Sequence, residues 1–307
     1  MKKGPKTPRR KISKLRVQES LAGYAFLLPA AICLVVWTIY PILKSFWFSL
    51  TDYDVLSAPT YIGLDNYKEL LEDQDWLDAL KRTFHYVLMF VPVLYLVSLG
   101  AAELIKHLKK GSGFFRTSYY LPMVVSSVAA GAIFRLLLNT RMGLVNKIIV
   151  ALGGTEINFL GSEKVALISC VILAVWLGFG GNMIIFLAGL QDIPKSYYEA
   201  AEIDGAKPWQ QFIFITFPGL ARTSIFVVTM SFINSFQMYD LIKMLTGGGP
   251  NYSTTLVVQR IYEEAFKHYN MGYACAMTVA LFVIIFIVTM VQLKITSAWA
   301  NNGFEEG

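Results

Sequence analysis

Long apolar stretches alternate with polar ones along the whole chain. Six of them reach or approach the about 20 mostly apolar residues that a helix needs to cross a bilayer core: Leu21–Leu43, Phe84–Ile105, Tyr119–Leu138, Val165–Leu190, Thr223–Tyr239 and Asn270–Leu293. The fourth and sixth are free of charge and are the clearest. The second contains His85 and closes near Glu103; the third carries Arg135 near its end, where a long side chain can snorkel to the interface. Lys44 is similarly placed at the end of the first. The pattern predicts an all-α, polytopic membrane protein with six transmembrane helices.

The segments between these stretches have patterns of their own. Tyr67 to Ala79 mixes acids with Leu70, Leu71, Trp76 and Leu77, which predicts a short amphipathic helix at the membrane surface. Asn139 to Glu163 is polar and glycine-containing and reads as a structured loop. Gly247-Gly248-Gly249-Pro250 ends any helix that runs through Leu245.

Composition supports the membrane reading. Of 307 residues, 55% are hydrophobic and 16% charged, with a mean hydropathy of +0.50; soluble domains carry about 25% charged residues. The net charge of +6 is unevenly spread. Lys2, Lys3, Lys6, Arg9, Arg10, Lys11, Lys14 and Arg16 crowd a tail, residues 1–20, whose first sixteen residues hold no acid. Such a tail could be a nucleic-acid arm, but beside a first span it is an orientation signal, and the apolar run after it is too long for a cleaved leader. No nucleic-acid partner is expected; the surrounding lipid is. Lys106, Lys109, Lys110 and Arg116 follow the second span, and Lys195, Lys207 and Arg222 follow the fourth. The loop Thr51–Leu80 holds eight acids and Lys68 as its one lysine or arginine. The positive-inside rule then puts both termini on the cytoplasmic side of the plasma membrane, with a six-helix domain over 21–294 and a C-terminal tail over 295–307.

Candidate chemistry is sparse. Cys33, Cys170 and Cys275 lie apart in apolar runs, and His85, His107 and His268 are scattered, so no metal spacing exists. The chain has no Gly-x-x-x-x-Gly-Lys-Ser/Thr phosphate loop. No metal, no cofactor and no catalytic residue of its own is expected.

The most informative stretch is residues 194–218. Pro194 suits the first turn of a helix, Gly205 the left-handed residue that ends one, and Pro208 the start of a second short helix; Pro218 should break that helix before the fifth span. The first short helix carries Glu199-Ala200-Ala201, whose small side chains admit close approach of another protein, with Glu202 and Asp204 adding negative charge. Periodicity alone does not separate this from an ordinary surface helix joining two spans.

The spacing Glu199-Ala200-Ala201, three residues, Gly205, nine residues, Ile215, one residue, Phe217-Pro218 resembles the EAA signature of ABC importer permeases, with Phe217 where the family usually has Leu. The likeness continues in Gly63-Leu64-Asp65-Asn66-Tyr67, Tyr120-Leu121-Pro122, Leu241 to Pro250, Ala265-Phe266 and Gly272, as in the carbohydrate-uptake branch of maltose, oligosaccharide and glycerol-3-phosphate permeases. It implies the type I permease fold, an F-type subunit and alternating access. Glu199, Ala200, Ala201, Asp204 and Gly205 would then form a coupling helix docked on an ATP-binding subunit. Implied partners are a second, homologous permease, two copies of that subunit, which would use ATP and Mg, and an extracytoplasmic sugar-binding protein. The loops 51–80 and 241–269 would face that protein.

A sugar path needs amides, hydroxyls and an aromatic or apolar wall. Helix five offers Ser231, Asn234, Ser235, Gln237 and Tyr239, helix four Trp176, Gly178 and Asn182, and helix three Ser126 and Ser127. By likeness to the maltose permease, Met123, Ser127, Trp176, Leu177, Gly178, Ser231, Asn234 and Ser235 lie nearest the sugar. Each alone could equally be a helix-packing residue. Three rivals stay open. An ion-coupled secondary transporter would use intramembrane carboxylates, for which only Glu103 and Asp240, both at span ends, are candidates. An intramembrane enzyme would need an acid, base or metal constellation that the sequence does not display. An ABC permease for glycerol-phosphate or an acidic saccharide would call for cations in the path, where only Arg135 falls within a span.

Overall fold

The computed structural model describes residues 14–108 and 110–302; most of the basic tail lies outside them. Among these residues the regular structure is helical, apart from one two-stranded ribbon. Four helical stretches among the described residues are long and apolar enough to cross a bilayer: Gly23–Phe48, Gln74–Lys106, Glu163–Asp192 and Met271–Thr296. Two further apolar pairs are sharply bent, by 93° and 67°.

The first stretch is α1 (Lys14–Leu34), a π-helical turn (Val35–Ile39) and α2 (Tyr40–Phe48). The wide turn has a local cause. Pro41 follows it, and a proline ring clashes with the carbonyl four residues back. Lengthening the turn to Tyr40 N–H donating to the Val35 carbonyl lets the helix run on past the ring. Between Gly23 and Phe48 the apolar window buries nothing within the chain.

A small platform follows. β1 (Thr51–Asp52) pairs antiparallel with β2 (Thr60–Tyr61), Thr51 opposite Tyr61. Asn66 donates to the carbonyls of Ser49 and Thr51, both at 3.0 Å, and the Tyr67 hydroxyl to Ser49 Oγ at 2.8 Å. Gly63-Leu-Asp-Asn-Tyr67 thus staples the end of α2. The amphipathic helix expected over 67–79 is in fact two elements. α3 (Asp65–Glu72) ends at Asp73, whose carboxylate accepts from Asp75 N–H at 2.8 Å and Trp76 N–H at 3.1 Å and so caps α4 (Gln74–Lys106). The second half of that stretch is the first turn and a half of a long span.

The third expected span is also two helices, α5 (Ser112–Val124) and α6 (Ser127–Leu137), bent by 93°. Val125 and Ser126 are extended, with ψ of 133° and 131°. A straight helix is prevented by what each half packs on. α5 lies against α8 (Glu163–Asp192), where a Cβ at Gly180 would collide with the Tyr119 carbonyl, and α6 lies against α13 (Asp240–Leu245). The polar segment 139–163 contains its own helix, α7 (Leu144–Ala151), with Asn146 donating to the carbonyls of Thr140 and Ile157 at 3.1 and 2.8 Å.

After α8 come α9 (Lys195–Ile203), α10 (Pro208–Gln211), a second π-helical turn (Phe212–Thr216) and α11 (Phe217–Gly219). Pro218, expected to stop this helix, instead sits inside it. The wide turn again lies just before the proline, with Phe217 N–H donating to the Phe212 carbonyl, and the bend of 67° falls at Leu220. α12 (Ala221–Phe236), α13, α14 (Val257–Phe266) and α15 (Met271–Asn302) complete the chain. α15 runs beyond the expected end at Leu293.

α4 and α8 form the central pair, and two cores succeed each other along them. One joins Tyr86, Phe90 and Leu94 to Leu173, Ala174, Phe236, Leu241 and Met277. The other joins Leu99, Ala102 and Ile105 to Met183, Phe186, Leu190 and Leu220. Large apolar side chains such as Leu88, Leu96, Leu104, Ile172 and Phe286 stay exposed, as expected of a lipid-facing surface, where close packing rather than water exclusion holds helices together.

Candidate functional site

Two regions carry the candidate functional residues. The first is the segment from Pro194 to Leu220. Pro194 is extended at the head of α9, and Gly205 ends it with φ of +78°. Only glycine adopts that conformation without cost, and the closing bonds are Gly205 N–H to the Glu202 carbonyl at 3.1 Å and Ala206 N–H to the Ala201 carbonyl at 2.8 Å. Gln210 accepts from Lys207 N–H at 2.8 Å and fixes the turn into α10. Gly205 and Pro208 stand where the sequence puts them, whereas Pro194 is the cap before the first turn of α9 rather than part of it.

α9 has no buried residue. Glu199, Ala200, Glu202, Ile203, Asp204 and Gly205 are exposed, and Ala201 is half-buried. None of the three acids has an ion pair among the described residues. One side chain reaches inward. The Tyr198 hydroxyl accepts from Lys106 Nζ at 3.2 Å and is 2.9 Å from Thr216 Oγ1, while the same ammonium stands 4.4 Å from the Tyr198 ring centroid. Lys106 is held in turn by Glu103 at 3.5 Å. Tyr198 therefore ties α9 to the end of α4 and to the π turn before α11. Sequence reasoning gave Tyr198 no role and took Lys106 only as an orientation charge. They lie 92 residues apart, and only the fold joins them.

The second region is a cavity of about 390 Å³ halfway along α8, where the two cores meet. α5 and α6 contribute Met123, Val125 and Ser127 from the break between them; α8 contributes Ala174, Leu177, Gly178 and Asn182; α12 contributes Met230, Ser231 and Asn234. Phe90, Leu94, Met238 and Leu241 close the wall. Non-helical backbone inside a membrane domain is tolerated where it lines such a cavity. Asn182 Nδ2 stands 3.5 Å from Ser231 Oγ, a long contact that leaves both groups capacity for another partner. The lining is amide, hydroxyl, thioether, aromatic and aliphatic, with no charged side chain.

Six of the nine expected path residues line this cavity: Met123, Ser127, Leu177, Gly178, Ser231 and Asn234. The other three lie elsewhere. Trp176 packs on Phe134 at 5.2 Å between ring centroids, on another face of α8. Ser235 is fully buried and donates to the Phe232 carbonyl at 2.8 Å. Gln237 lines a separate apolar groove with Phe282 and Phe286. Val125, Met230 and Met238 were not expected; they are plain apolar residues in the sequence, and only the broken helix and the turn of α12 bring them to the cavity.

Arg135 is exposed near the end of α6. Glu103 also contacts His107 at 3.1 Å, and no group of three or more His, Cys, Asp or Glu residues placed to hold a metal occurs among the described residues.

Apolar spans, broken helices around a mid-bundle cavity and an exposed helix at one end define a multi-pass membrane transport protein. The profile described as "binding-protein-dependent transport system inner membrane component" matches residues 73–298, and the chain belongs to that family. It is 36% identical over 94% of both chains to the probable ABC transporter permease protein YesP of Bacillus subtilis (strain 168). It is 31% identical to the arabinooligosaccharides transport system permease protein AraP of the same organism, over 92% of this chain and 90% of that one. Among solved structures, a bacterial ABC transporter involved in import of the acidic polysaccharide alginate superposes with a TM-score of 0.81 at 20% identity, over 92% of this chain and 97% of that one, a likeness of fold.

Proposed function

We propose that this chain is a permease subunit of an ATP-driven importer for a neutral sugar or oligosaccharide. The observation that carries the substrate class is the cavity. Its amides and hydroxyls suit the edges of a sugar and its apolar wall the C–H faces. The names of relatives such as AraP support the same class. A phosphate or carboxylate substrate calls for a cation in the lining, and this chain supplies none.

In this reading the chain crosses the membrane six times, the two bent pairs counting as one span each, with both termini cytoplasmic. α9 is the coupling helix, and Glu199, Ala200, Ala201, Asp204 and Gly205 meet the ATP-binding subunit. Tyr198 carries its displacement to α4 and α11 as a rigid link. The cavity, with Met123, Ser127, Leu177, Gly178, Ser231 and Asn234, is this chain's half of the path; Trp176, Ser235 and Gln237 support the surrounding helices. A second permease completes the path, two ATP-binding subunits supply hydrolysis of ATP with Mg, and an extracytoplasmic binding protein delivers the sugar. The chain itself holds no cofactor and performs no catalysis.

The test is affinity purification of the tagged chain from native membranes, followed by ATPase assay of the reconstituted assembly with a panel of neutral and acidic oligosaccharides and the copurified binding protein. Recovery of a second permease and an ATPase, with stimulation by a neutral saccharide, is the expected result. Recovery of the chain alone, or uptake driven by an ion gradient without ATP, overturns it.

A further inference from the structure

We propose that a groove between α4 and α8 binds one anionic glycerophospholipid at the membrane face where both helices begin. The groove, about 580 Å³, lies away from the sugar cavity and shares no lining residue with it. Its upper end is polar and its lower end apolar, on both helices at once. On α4, Arg82 and His85 are followed one turn deeper by Leu88 and Met89. On α8, Lys164 is followed one turn deeper by Leu167 and Ile168. Leu88 and Ile168 are exposed, with 63% and 46% of their surface open. The rise from Arg82 to Leu88 is about 9 Å at 1.5 Å per residue, enough to separate a headgroup from its first chain methylenes.

The charges at the upper end favour a phosphate. Lys164 has no ion pair among the described residues, and Arg82 has only a loose contact with Asp78 at 3.9 Å. The one acid in the lining, Glu163, already accepts a hydrogen bond from Asn251, and Asp78 is shared with Lys81 at 3.2 Å. Two guanidinium or ammonium groups with an imidazole beside them therefore face the groove with uncommitted donors. Ser253 also lines the groove. Paired cations suit the phosphate of a headgroup, and the apolar stripe below takes the acyl chain.

The experiment is native mass spectrometry of the whole transporter after exchange from nanodiscs of phosphatidylglycerol or of phosphatidylcholine. One phosphatidylglycerol retained per copy of this chain, with no matching retention of phosphatidylcholine, is expected. In the double variant Arg82→Gln, Lys164→Gln, retention falls about tenfold, and Leu88→Trp, which fills the apolar end without touching charge, lowers it too. Equal retention of both lipids, or retention unchanged in the double variant, overturns the proposal. So does efficient disulfide cross-linking of Leu88→Cys to another subunit, which would make the groove a protein interface.

Discussion

α9 and α14 are both short helices between apolar spans, of nine and ten residues, and they are built in opposite ways. α9 buries no residue, and its acids have no ion partners among the described residues. α14 buries Val257, Gln259, Glu263, Glu264 and Ala265. Its charges are answered at home. Arg260 contacts Asp75 at 3.2 Å and Glu264 at 3.0 Å, and Glu263 takes Lys267 at 2.8 Å and Lys243 at 3.6 Å. A helix so satisfied is scaffold. A helix tied inward by one tyrosine and otherwise bare has the surface that the proposed coupling role needs.

That contrast can be broken most sharply at Gly205. Valine there forces a β-branched residue into the left-handed region and disrupts the end of α9. ATP-driven transport in proteoliposomes should fall by up to about a hundredfold, the span of a typical coupling free energy, while the thermal stability of the chain hardly moves. A stability loss as large as the activity loss would make α9 scaffold after all. Tyr198→Phe comes next. It keeps the ring over Lys106 but loses the hydroxyl between Lys106 and Thr216. The ratio of sugar moved to ATP hydrolysed should drop several-fold with ATPase retained, whereas a purely structural tyrosine would lower both together.

On the α14 side, Arg260→Met leaves the buried Glu264 with His268, at 3.0 Å, as its remaining ion partner among the described residues. Loss of a partner from a buried charge should destabilise by about 2 kcal/mol, less than for a fully dry pair because Arg260 is partly exposed. Chemical denaturation in detergent measures it, and transport by the surviving folded protein should be near normal. Asn234→Ala should raise the KM for sugar by about tenfold, as loss of one hydrogen bond to a polar ligand does, without altering the basal ATPase. The smallest effect is a pH dependence. Burial works against ionisation of Glu263, but hydrogen bonds from Lys267 and Gln259 and the charges of Lys267 and Lys243 outweigh it and hold its carboxyl below the usual range. A lowered folded value means stability that is present above the unfolded value of about 4.3 and lost as pH falls through the folded value. The stability gap between the protein and Glu263→Gln should therefore narrow below about pH 4.

Much of this was written in local sequence. α8 and α15 are apolar along uninterrupted runs, so no other element could hold them in lipid. Pro194, Gly205 and Pro208 act on their own backbone, and their turns form as their chemistry demands. What local pattern could not carry were the events decided by packing. Val125 and Ser126 have no breaker residue at their own positions; they are extended because α5 and α6 seek different neighbours, at Gly180 and along α13. Pro218 announced a helix end, yet a π turn absorbs its ring and the break comes two residues later, at Leu220.

The cavity shows the same division residue by residue. Polar groups in α6, α8 and α12 could be recognised as unusual for lipid, but which of them share a space depended on helix rotation. Ser231 and Asn234 look into the cavity, Ser235 turns back onto its own helix, and Trp176 faces Phe134. Side-chain type and spacing, set by covalent order, determined that this chain is a helical membrane protein with a capped, solvent-facing helix between two spans. Tertiary structure decided where a helix breaks, which polar groups meet, and that Tyr198 and Lys106 join across the chain, because those outcomes depend on surfaces distant in sequence that only the packed bundle brings within a few ångströms of one another.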